Sequence, residues 1–421
     1  MITVEEHFSR IVRTVRRLPS IGLNLLDAQG CVLAQDVTSE VALPGFRNSA
    51  MDGYAVHAAD LALAGDATPV TLPVSGDIAA GDTRALLLAP GQSMRIMTGA
   101  PMPDGADAVV PVERTDAGLT SVIVWAPVSV GQHVREPGED VAIGDVVLSE
   151  GTRLEARQIA LLAAVGTGEV RVTPRPWVVV ISTGDELIEP GTRPGFGQVV
   201  DSNSLMLTAA VRALGCIALR VGGVRDDASA FLSTIEAQLL RADAVITTGG
   251  VSMGAYDTVK EVLSAVGTMR FDKVAMQPGM PQGFGVLGDN ATPVFTLPGN
   301  PVSAMVSFEV FVAPALRLMA GRPQQETALV PAVASHDWTA PAGKVQYARV
   351  VLSRNGSGDG SGDLSGYEPG YTAAIAGPQG SHALGSLAGA NALAVIPADV
   401  TAVRAGDQLA CHLLGPILEA W

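Results

Sequence analysis

Hydrophobic positions change their spacing several times along the chain, and each spacing predicts a different kind of element. From Val4 to Val15, apolar residues fall 4, 3 and 4 positions apart, which is typical of an amphipathic helix. Residues 41–150 instead contain short β-branched runs separated by Gly, Pro and Asp, a pattern that predicts a β-rich domain with tight turns. Residues 152–164 return to helical spacing.

From about residue 174, continuous apolar runs alternate with helical stretches. The runs are Trp177–Ile181, Ala218–Val224, Ala242–Thr248 and Pro293–Leu297, and the helical stretches are 204–214, 230–241, about 256–266 and about 302–319. Apolar runs without alternation predict strands that are buried on both faces. Strands that alternate with helices predict βαβ units, and therefore a doubly wound, mainly parallel sheet.

The last part of the chain, residues 325–421, loses helical periodicity. Its short alternating runs predict a small β-barrel or sandwich. Residues 353–366, SRNGSGDGSGDLSG, form the low-complexity stretch and predict a flexible surface hairpin tip. The chain is thus expected to be a multidomain protein of the α/β plus β class.

Composition narrows the function classes. The 421 residues predict about three domains. The net charge of −15 disfavours a general nucleic-acid binder. The three cysteines stand far apart, which argues against a disulfide framework, and the six histidines lack zinc-site spacing. Without about 18 uninterrupted apolar residues no membrane span is expected, so a soluble, cytoplasmic protein is predicted.

Three segments rich in Gly, Ser and Thr follow apolar runs of the predicted sheet. They are Ser182, Thr183, Gly184, Asp185 and Glu186; then Thr247–Gly254 with Gly249, Gly250, Val251, Ser252 and Gly254; and finally Pro298, Gly299, Asn300 and Pro301 with Ser303 in the next helix. Ligands of doubly wound sheets bind beyond the carboxyl ends of the strands. Any one of these loops is also what a strand–helix turn requires, but three at one sheet edge favour a phosphate or nucleotide site.

Charged residues gather at the same edge. The carboxylates are Asp185, Glu186, Asp201, Asp226, Asp227 and Asp257. Some of them are predicted to hold a divalent cation such as Mg²⁺, whereas Asp201, Asp227 and Asp257 also fit as helix N-caps. Lys273 is either a solvated strand lysine or a cation that faces a phosphate or oxyanion. From the residues alone, Asp52 is a turn former and Thr98 an ordinary hydroxyl.

Several motifs, in this order, resemble the molybdopterin molybdenumtransferase family, which includes bacterial MoeA and the gephyrin E domain. The matching segments are NSAMDGYA (48–55), RIMTGAPMPDGADAVVPVE (95–113), REPGEDV (135–141), STGDEL (182–187), DSNS (201–204), VRDD (224–227), TTGGVSMGAYD (247–257), LPGNPVSA (297–304) and QGSH (379–382). They cover nearly the full chain.

The resemblance implies four domains and an elongated homodimer. A mixed N-terminal domain would comprise residues 1–40 and 140–173, and a β-rich domain, 41–139, would be inserted into it. Residues 174–322 would form the molybdopterin-binding α/β domain, similar to molybdopterin adenylyltransferases, and residues 325–421 a β-barrel. The implied active site lies between the α/β domain of one subunit and the inserted domain of the other.

The implied reaction inserts molybdenum from molybdate into adenylylated molybdopterin, hydrolyses the adenylate and releases AMP, with Mg²⁺ as cofactor. A molybdopterin adenylyltransferase is a candidate partner. By resemblance, the catalytic residues are Asp52, Thr98, Glu186, Asp257 and Lys273, and the metal ligands are Glu186, Asp227 and Asp257. The three loops, with Asp201, Ser202, Asn203 and Asp226 or Asp227, would bind the pterin nucleotide, and Arg349, Ser381, Gln277 and Pro281 would bind molybdate.

One segment departs from the family pattern. Relatives typically carry two lysines in a stretch like KPGKP, where this chain has Gln277 and Met280. Replacing two cations removes charge that would attract a dianion. The departure leaves an alternative open, namely a catalytically altered paralogue that carries or scaffolds molybdopterin. A third possibility is an enzyme that handles tungstate.

Overall fold

The computed structural model describes residues 1–225, 227–250, 258–265, 268–322, 329–354 and 370–414. The chain divides into two compact units, which are described separately. The first unit comprises Met1–Ile21, Gly30–Ala34 and Val172–Trp421, and the second comprises Gly22–Gln29 and Gln35–Arg171. Asp226, Val251, Ser252, Gly254 and Asp257, five of the predicted site residues, lie outside the described residues.

Helices and strands are numbered in chain order. The α-helices in the described ranges are α1 (Val4–Thr14), α2 (Ala156–Ala164), α3 (Asn203–Ala213), α4 (Ala228–Leu239), α5 (Thr258–Ala265), α6 (Pro301–Ser307), α7 (Ala313–Met319) and α8 (Leu384–Ala388). The strands up to the α/β sheet are β1 (Ile21–Asn24), β2 (Val32–Leu33), β3 (Val37–Thr38), β4 (Asn48–Ser49), β5 (Gly53–Val56), β6 (Val70–Ile78), β7 (Ser93–Ile96), β8 (Ala108–Pro111), β9 (Ser121–Val124), β10 (Val134–Arg135), β11 (Val146–Leu148) and β12 (Glu169–Thr173). The remaining strands are β13 (Trp177–Thr183), β14 (Leu187–Ile188), β15 (Val199–Val200), β16 (Ile217–Val224), β17 (Ala244–Thr248), β18 (Arg270–Lys273), β19 (Met276–Gln277), β20 (Pro281–Leu287), β21 (Thr292–Leu297), β22 (Val330–Ala334), β23 (Trp338–Thr339), β24 (Val345–Arg354), β25 (Tyr371–Ile375), β26 (Ala392–Ile396), β27 (Ala402–Val403) and β28 (Gln408–Leu413).

The predicted N-terminal helix is confirmed as α1. A reciprocal capping box opens it, because Glu6 N–H donates to Thr3 Oγ1 at 3.1 Å and Thr3 N–H donates to Glu6 Oε2 at 2.8 Å. Its apolar stripe, including Val4 and Ile11, is buried in the main core of the first unit. His7 shares that buried face, although it is a titratable residue.

A six-stranded sheet forms the centre of the first unit, in the order β16-β13-β17-β21-β20-β18. The first four strands are parallel, β20 pairs antiparallel with β21, and β18 pairs antiparallel with β20. Apolar side chains of α3 and α6 pack on one face, and those of α4 and α5 pack on the other. The predicted doubly wound, mainly parallel sheet is therefore confirmed.

A continuous helix runs from Pro301 to Met319, with a π-helical turn at Phe308–Val312. Its length and mean hydropathy of 1.6 would allow it to cross a membrane, but 67% of it is buried inside the protein. Phe308 and Phe311 lie in the same core cluster as α1. The helix is the core helix of the α/β sheet.

The C-terminal residues of the first unit form a closed barrel. Strands β24, β25, β22, β28 and β26 pair in sequence, and β26 pairs back with β24 to close the ring. The short strand β19 adds parallel to β24. The prediction of a barrel or sandwich is thus settled as a five-stranded barrel. Most of the predicted hairpin tip, 355–366, lies outside the described residues.

The second unit contains a five-stranded sheet in the order β8-β5-β7-β6-β9, as its β-rich pattern predicts. Its helix α2 begins at Ala156, four residues later than the predicted 152–164. The reason is local, since Glu155 and Gln158 form a capping box that fixes the helix start. The boundaries of the four predicted domains stay a prediction.

Candidate functional site

The first candidate loop leaves the sheet at the end of β13. Ser182 is fully buried, and its hydroxyl donates to Asp201 Oδ2 at 2.6 Å. Gly184 has a φ of +150°, and a Cβ there would lie 2.6 Å from a carboxylate oxygen of Glu186. A side chain at this position would push the Glu186 carboxylate aside, and the positive φ itself favours glycine here.

Asp201 connects this loop to the start of α3. Its carboxylate also accepts from the Ser204 backbone N–H at 3.1 Å and from the Ser204 hydroxyl at 2.5 Å, and it pairs with Arg220 at 3.1 Å. Burial alone would raise the pKa of Asp201, but the hydrogen bonds from Ser182 and Ser204 and the Arg220 guanidinium hold that pKa below its usual range. Asp201 is thus an ionised group that fixes two elements, and its predicted contact with a ligand stays a prediction.

The second and third loops meet the first at Asn203. The Asn203 side chain donates to Thr248 Oγ1 at 3.0 Å, at the end of β17, and to the carbonyl of Gly299 at 2.7 Å, after β21. Gly249 has a φ of +94°, and a Cβ there would lie 2.8 Å from the carbonyl oxygen of Thr183. The convergence that the sequence predicts is therefore present, and we call Ser182–Glu186, Thr248–Gly250, Pro298–Gly299 and Asn203 the three-loop cluster.

Two polar atoms of this cluster are buried without a hydrogen-bond partner in the described part of the chain. They are the hydroxyl of Thr183 and the amide oxygen Oδ1 of Asn203. Buried polar groups in native proteins are almost always satisfied. The cluster therefore has unused hydrogen-bonding capacity, as a polar ligand would require.

The third loop continues into α6. Pro301 occupies the first turn of α6, Asn300 precedes it as an exposed residue, and Ser303 is 4% exposed. Gln282 connects this helix to residues 277–281, which we call the departure segment because they differ from the family pattern. Its Nε2 donates to Ser307 Oγ and to the carbonyl of Gly279, both at 2.6 Å.

The departure segment itself is a turn between short strands. Gln277 is exposed, while Met280 and Pro281 are half-buried. Lys273 is exposed at the end of β18, opposite Pro281 in the strand pairing. The geometry is thus compatible with a solvated strand lysine, and the predicted catalytic role of Lys273 stays a prediction.

Arg349 of β24 is a fully buried cation. Its Nε donates to Ser386 Oγ at 2.8 Å, and Nη2 donates to backbone carbonyls of the loop 378–380 at 2.7 and 3.2 Å. Nη1 is buried without a partner, and no carboxylate within the described residues pairs with this guanidinium. The same loop leads to Ser381, whose carbonyl accepts from the backbone N–H of Val302 at 3.1 Å.

Burial lowers the pKa of Arg349, but a guanidinium keeps its proton in proteins. A charged group that is buried without a counter-charge is costly. An anion bound at Nη1 would remove this cost, which makes Arg349 a candidate anion-binding residue.

Asp52 and Thr98 lie together in the second unit. The backbone N–H of Thr98 donates to Asp52 Oδ1 at 2.7 Å, and the Thr98 hydroxyl donates to the same oxygen at 2.8 Å. These two bonds hold the pKa of Asp52 below its usual range, so Asp52 is ionised near neutral pH. Gly99, with a φ of +78°, completes the turn.

Of the three predicted metal ligands, Glu186 and Asp227 lie within the described residues. Asp227 caps α4, since its Oδ1 accepts from the Ala230 N–H at 2.8 Å, and Glu186 is half-buried. Asp185 is exposed in the same loop. In the parts of the chain that the structure describes, no three His, Cys, Asp or Glu residues are grouped as a metal site.

One residue of this region escapes sequence reasoning. Arg220 lies in the middle of the apolar strand β16 and contacts both Asp201 and Glu189. A single arginine within an apolar strand is the one signal that could have identified it. Its partners are 19 and 31 residues away in sequence, so the spacing itself gives no indication of them.

Comparison with known proteins agrees with this architecture. Three family models match almost the entire chain: the MoeA N-terminal region (domain I and II) over residues 2–166, a probable molybdopterin binding domain over 179–318, and the MoeA C-terminal region (domain IV) over 331–414. The chain belongs to the MoeA family.

Curated relatives of this MoeA family member have closely matching lengths. Molybdopterin molybdenumtransferase 2 of Mycobacterium tuberculosis is 45% identical over 97% of this chain and 98% of its own length. Molybdopterin molybdenumtransferase of Haemophilus influenzae is 35% identical over 93% of this chain and 94% of its own. A crystal structure of the MoeA protein from Pyrococcus horikoshii aligns with a TM-score of 0.75 at 30% identity, covering 98% of this chain and all of that one. The resemblance, the fold class and a role for this chain in molybdenum cofactor biosynthesis are confirmed.

Proposed function

We propose that this member of the MoeA family inserts molybdenum from molybdate into adenylylated molybdopterin. The adenylate is hydrolysed, AMP leaves, and the molybdenum cofactor is the other product. The observation that carries the proposal is the convergence of three loops on Asn203, with the Thr183 hydroxyl and Asn203 Oδ1 buried and without a partner among the described residues. A phosphate-linked pterin would supply the groups that these atoms lack.

Within the cluster, each group has a simple task. Gly184 and Gly249 have no side chain where one would collide with neighbouring loop atoms, so ligand oxygens can approach the backbone. Asn203 holds the second and third loops at fixed distances from each other. The resulting rigid surface orients the scissile phosphate linkage toward water, which lowers the entropic part of the barrier.

Arg349 supports the molybdate part of the proposal. The buried guanidinium, whose Nη1 has no partner in the described ranges, would attract the dianion, and Ser381 lies one residue beyond the loop 378–380 that holds the guanidinium. Gln277 would donate an amide N–H where relatives have a cation. Because this reduces the positive charge, we expect molybdate to bind this chain more weakly than it binds a variant that restores the lysine at Met280.

Mg²⁺ is part of the proposal. Glu186, Asp227 and Asp257 supply carboxylate oxygens, which are the ligands that this cation prefers, and Asp227 keeps its Oδ2 free of the cap bond. When bound, the cation would neutralise charge on the phosphate linkage.

A homodimer completes the proposal. Asp52, ionised and held by Thr98, would face the three-loop cluster of the other subunit, where it could orient water or accept a proton. A molybdopterin adenylyltransferase would hand over its product, and the reaction would take place in the cytoplasm.

The test is AMP release from adenylylated molybdopterin by the purified protein with Mg²⁺, across a molybdate titration. Stimulated release at low molybdate concentration would support the enzyme. Tight binding of the pterin nucleotide without stimulated release would favour the second candidate, a molybdopterin carrier or scaffold, for which the change to Gln277 and Met280 is the specific observation. Stronger stimulation by tungstate than by molybdate would support the third.

A further inference from the structure

An arginine-centred cluster lies beside the three-loop cluster, and its Arg220 and Glu189 have no part in the proposed chemistry. Arg220 donates from Nη1 and Nη2 to the two carboxylate oxygens of Glu189 at 2.9 and 2.8 Å, a bidentate pair. Its Nη2 also donates to Asp201 Oδ2 at 3.1 Å, and its Nε donates to Ser204 Oγ at 2.6 Å. All three nitrogens of one guanidinium are therefore engaged.

These contacts join both arms of one long excursion. The excursion is the segment 184–202 between β13 and α3. Its outgoing and returning arms pair only through Leu187 with Val199 and Ile188 with Val200. Glu189 follows the outgoing arm, and Asp201 ends the returning arm. Arg220, on the neighbouring strand β16, thus fixes both arms to the sheet edge.

The cluster also reaches the residues that neighbour Thr183 and Asn203, whose side chains carry the candidate ligand-binding atoms. Asp201 accepts the Ser182 hydroxyl on the same oxygen, Oδ2, that contacts Arg220. Asp201 also holds Ser204, the residue after Asn203, because Oδ1 accepts from the Ser204 backbone N–H and Oδ2 accepts from its hydroxyl. Asp201 is 2% exposed, and among the described residues Arg220 is its ion-pair partner. Without that cation, a buried carboxylate would be held by hydroxyls and one amide alone.

We propose that Arg220 is a positioning residue. It clamps the excursion between Glu189 and Asp201, and through Ser182 and Ser204 it holds the neighbouring Thr183 and Asn203 in the geometry that receives the phosphate-bearing part of the substrate. The identity of the substrate in this inference rests on the proposed function, whereas the clamp itself rests only on the contacts of Arg220. Lysine could not replace the clamp fully, because a single ammonium cannot make the planar, forked contacts that reach both arms.

The test compares R220M, R220K and E189Q with R212M, a control that removes an exposed arginine of the same domain. We expect R220M to raise the Kd for adenylylated molybdopterin by about 10- to 100-fold, because misplaced binding groups lose orientation. The rate of AMP release at saturating substrate should change less, by under about threefold. R220K should recover part of the affinity, E189Q should lose less than R220M, and R212M should bind like the wild type.

The exchange rates of the backbone amide hydrogens of residues 184–200 test the clamp in the absence of substrate. Faster exchange in R220M and E189Q than in R212M would support it, and unchanged exchange together with unchanged Kd would overturn it. If R220M fails to fold, R220K and E189Q decide the matter, since both keep a group at the mutated position. A wild type that neither binds the pterin nucleotide nor releases AMP would refute the proposed function, while the exchange rates would still decide the clamp.

Discussion

His7 makes the stability of the first unit depend on pH. Its side chain is 1% exposed, packs edge-on against Phe311 with ring centroids 4.7 Å apart, and leaves Nδ1 without a hydrogen-bond partner in the described residues. Burial lowers the pKa of His7 from 6.5 to about 4, Asp272 partly opposes this, and Arg10 adds to it. Protonation in the folded state would place a cation in an apolar core.

The sign and the magnitude follow from linkage. Because the folded pKa is lower than the unfolded one, the unfolded chain binds the extra proton at mildly acidic pH. The contribution of neutral His7 to the free energy of unfolding is therefore fully present above pH 6.5 and is lost as the pH falls through about 4. A shift of about 2.5 units corresponds to about 3 kcal/mol in total, of which about 2 kcal/mol is lost between about pH 7 and about pH 5.

The measurement is urea denaturation of the wild type, H7L and H336Q at these two pH values. Leucine keeps the apolar volume and removes the titration, whereas H336Q removes an exposed histidine. We expect the wild type and H336Q to lose about 2 kcal/mol more than H7L on acidification. An H7L protein with the same acid sensitivity as the wild type would refute the reasoning, because the loss would then come from other groups.

Four further predictions concern the site. G249A should weaken binding of the pterin nucleotide and cost about 1–3 kcal/mol in the free energy of unfolding, because it forces a side chain into a left-handed turn; unchanged calorimetric affinity would contradict this. M280K should lower the molybdate concentration that gives half-maximal AMP release, and an unchanged value would show that the lost cation has no role. Mixing D52A with E186A subunits should restore about a quarter of the wild-type activity if the two residues act from different subunits, and none if they act from one. D227A should lower the free energy of unfolding by about 1 kcal/mol through the lost α4 cap, measured by denaturation, and a larger loss would mean that the carboxylate has a second structural partner.

The sequence predicts elements well where a short-range pattern determines them. The stripe from Val4 to Val15 becomes α1, and the unbroken apolar run after Trp177 becomes the buried strand β13. The parallel order of β13, β16 and β17 then follows because a helix lies between each of these strands and the next. Closure of the C-terminal sheet could not be predicted in the same way, since alternating residues look the same in a sandwich and in a barrel. The β24–β26 pairing decides it, and that pairing joins residues 42 to 50 positions apart, from Val350 with Ala392 to Gln346 with Ile396.

Among the site residues, too, local contacts can be predicted from the sequence and long-range contacts cannot. Asp227 is a helix cap, as the simple interpretation of an acidic residue before a helix predicts. Asp201 also bonds the first turn of a helix, yet its main partners, Ser182 and Arg220, come from other strands. No local pattern reveals such partners, because the fold brings them together.

Two buried charges of the first unit differ in their partners, and this difference bears on function. Asp201 is neutralised by Arg220 and held by three further hydrogen bonds, so its charge is used within the protein. Arg349 is as deeply buried but has only hydroxyl and carbonyl partners in the described chain. Burial without a counter-charge is tolerated where a ligand supplies it. In a chain with a net charge of −15, a dianion needs such a local cation to overcome repulsion. Under the proposed function Arg349 would supply that cation where Gln277 and Met280 would not, so we expect molybdate binding to depend more steeply on Arg349 here than in relatives that keep the two lysines.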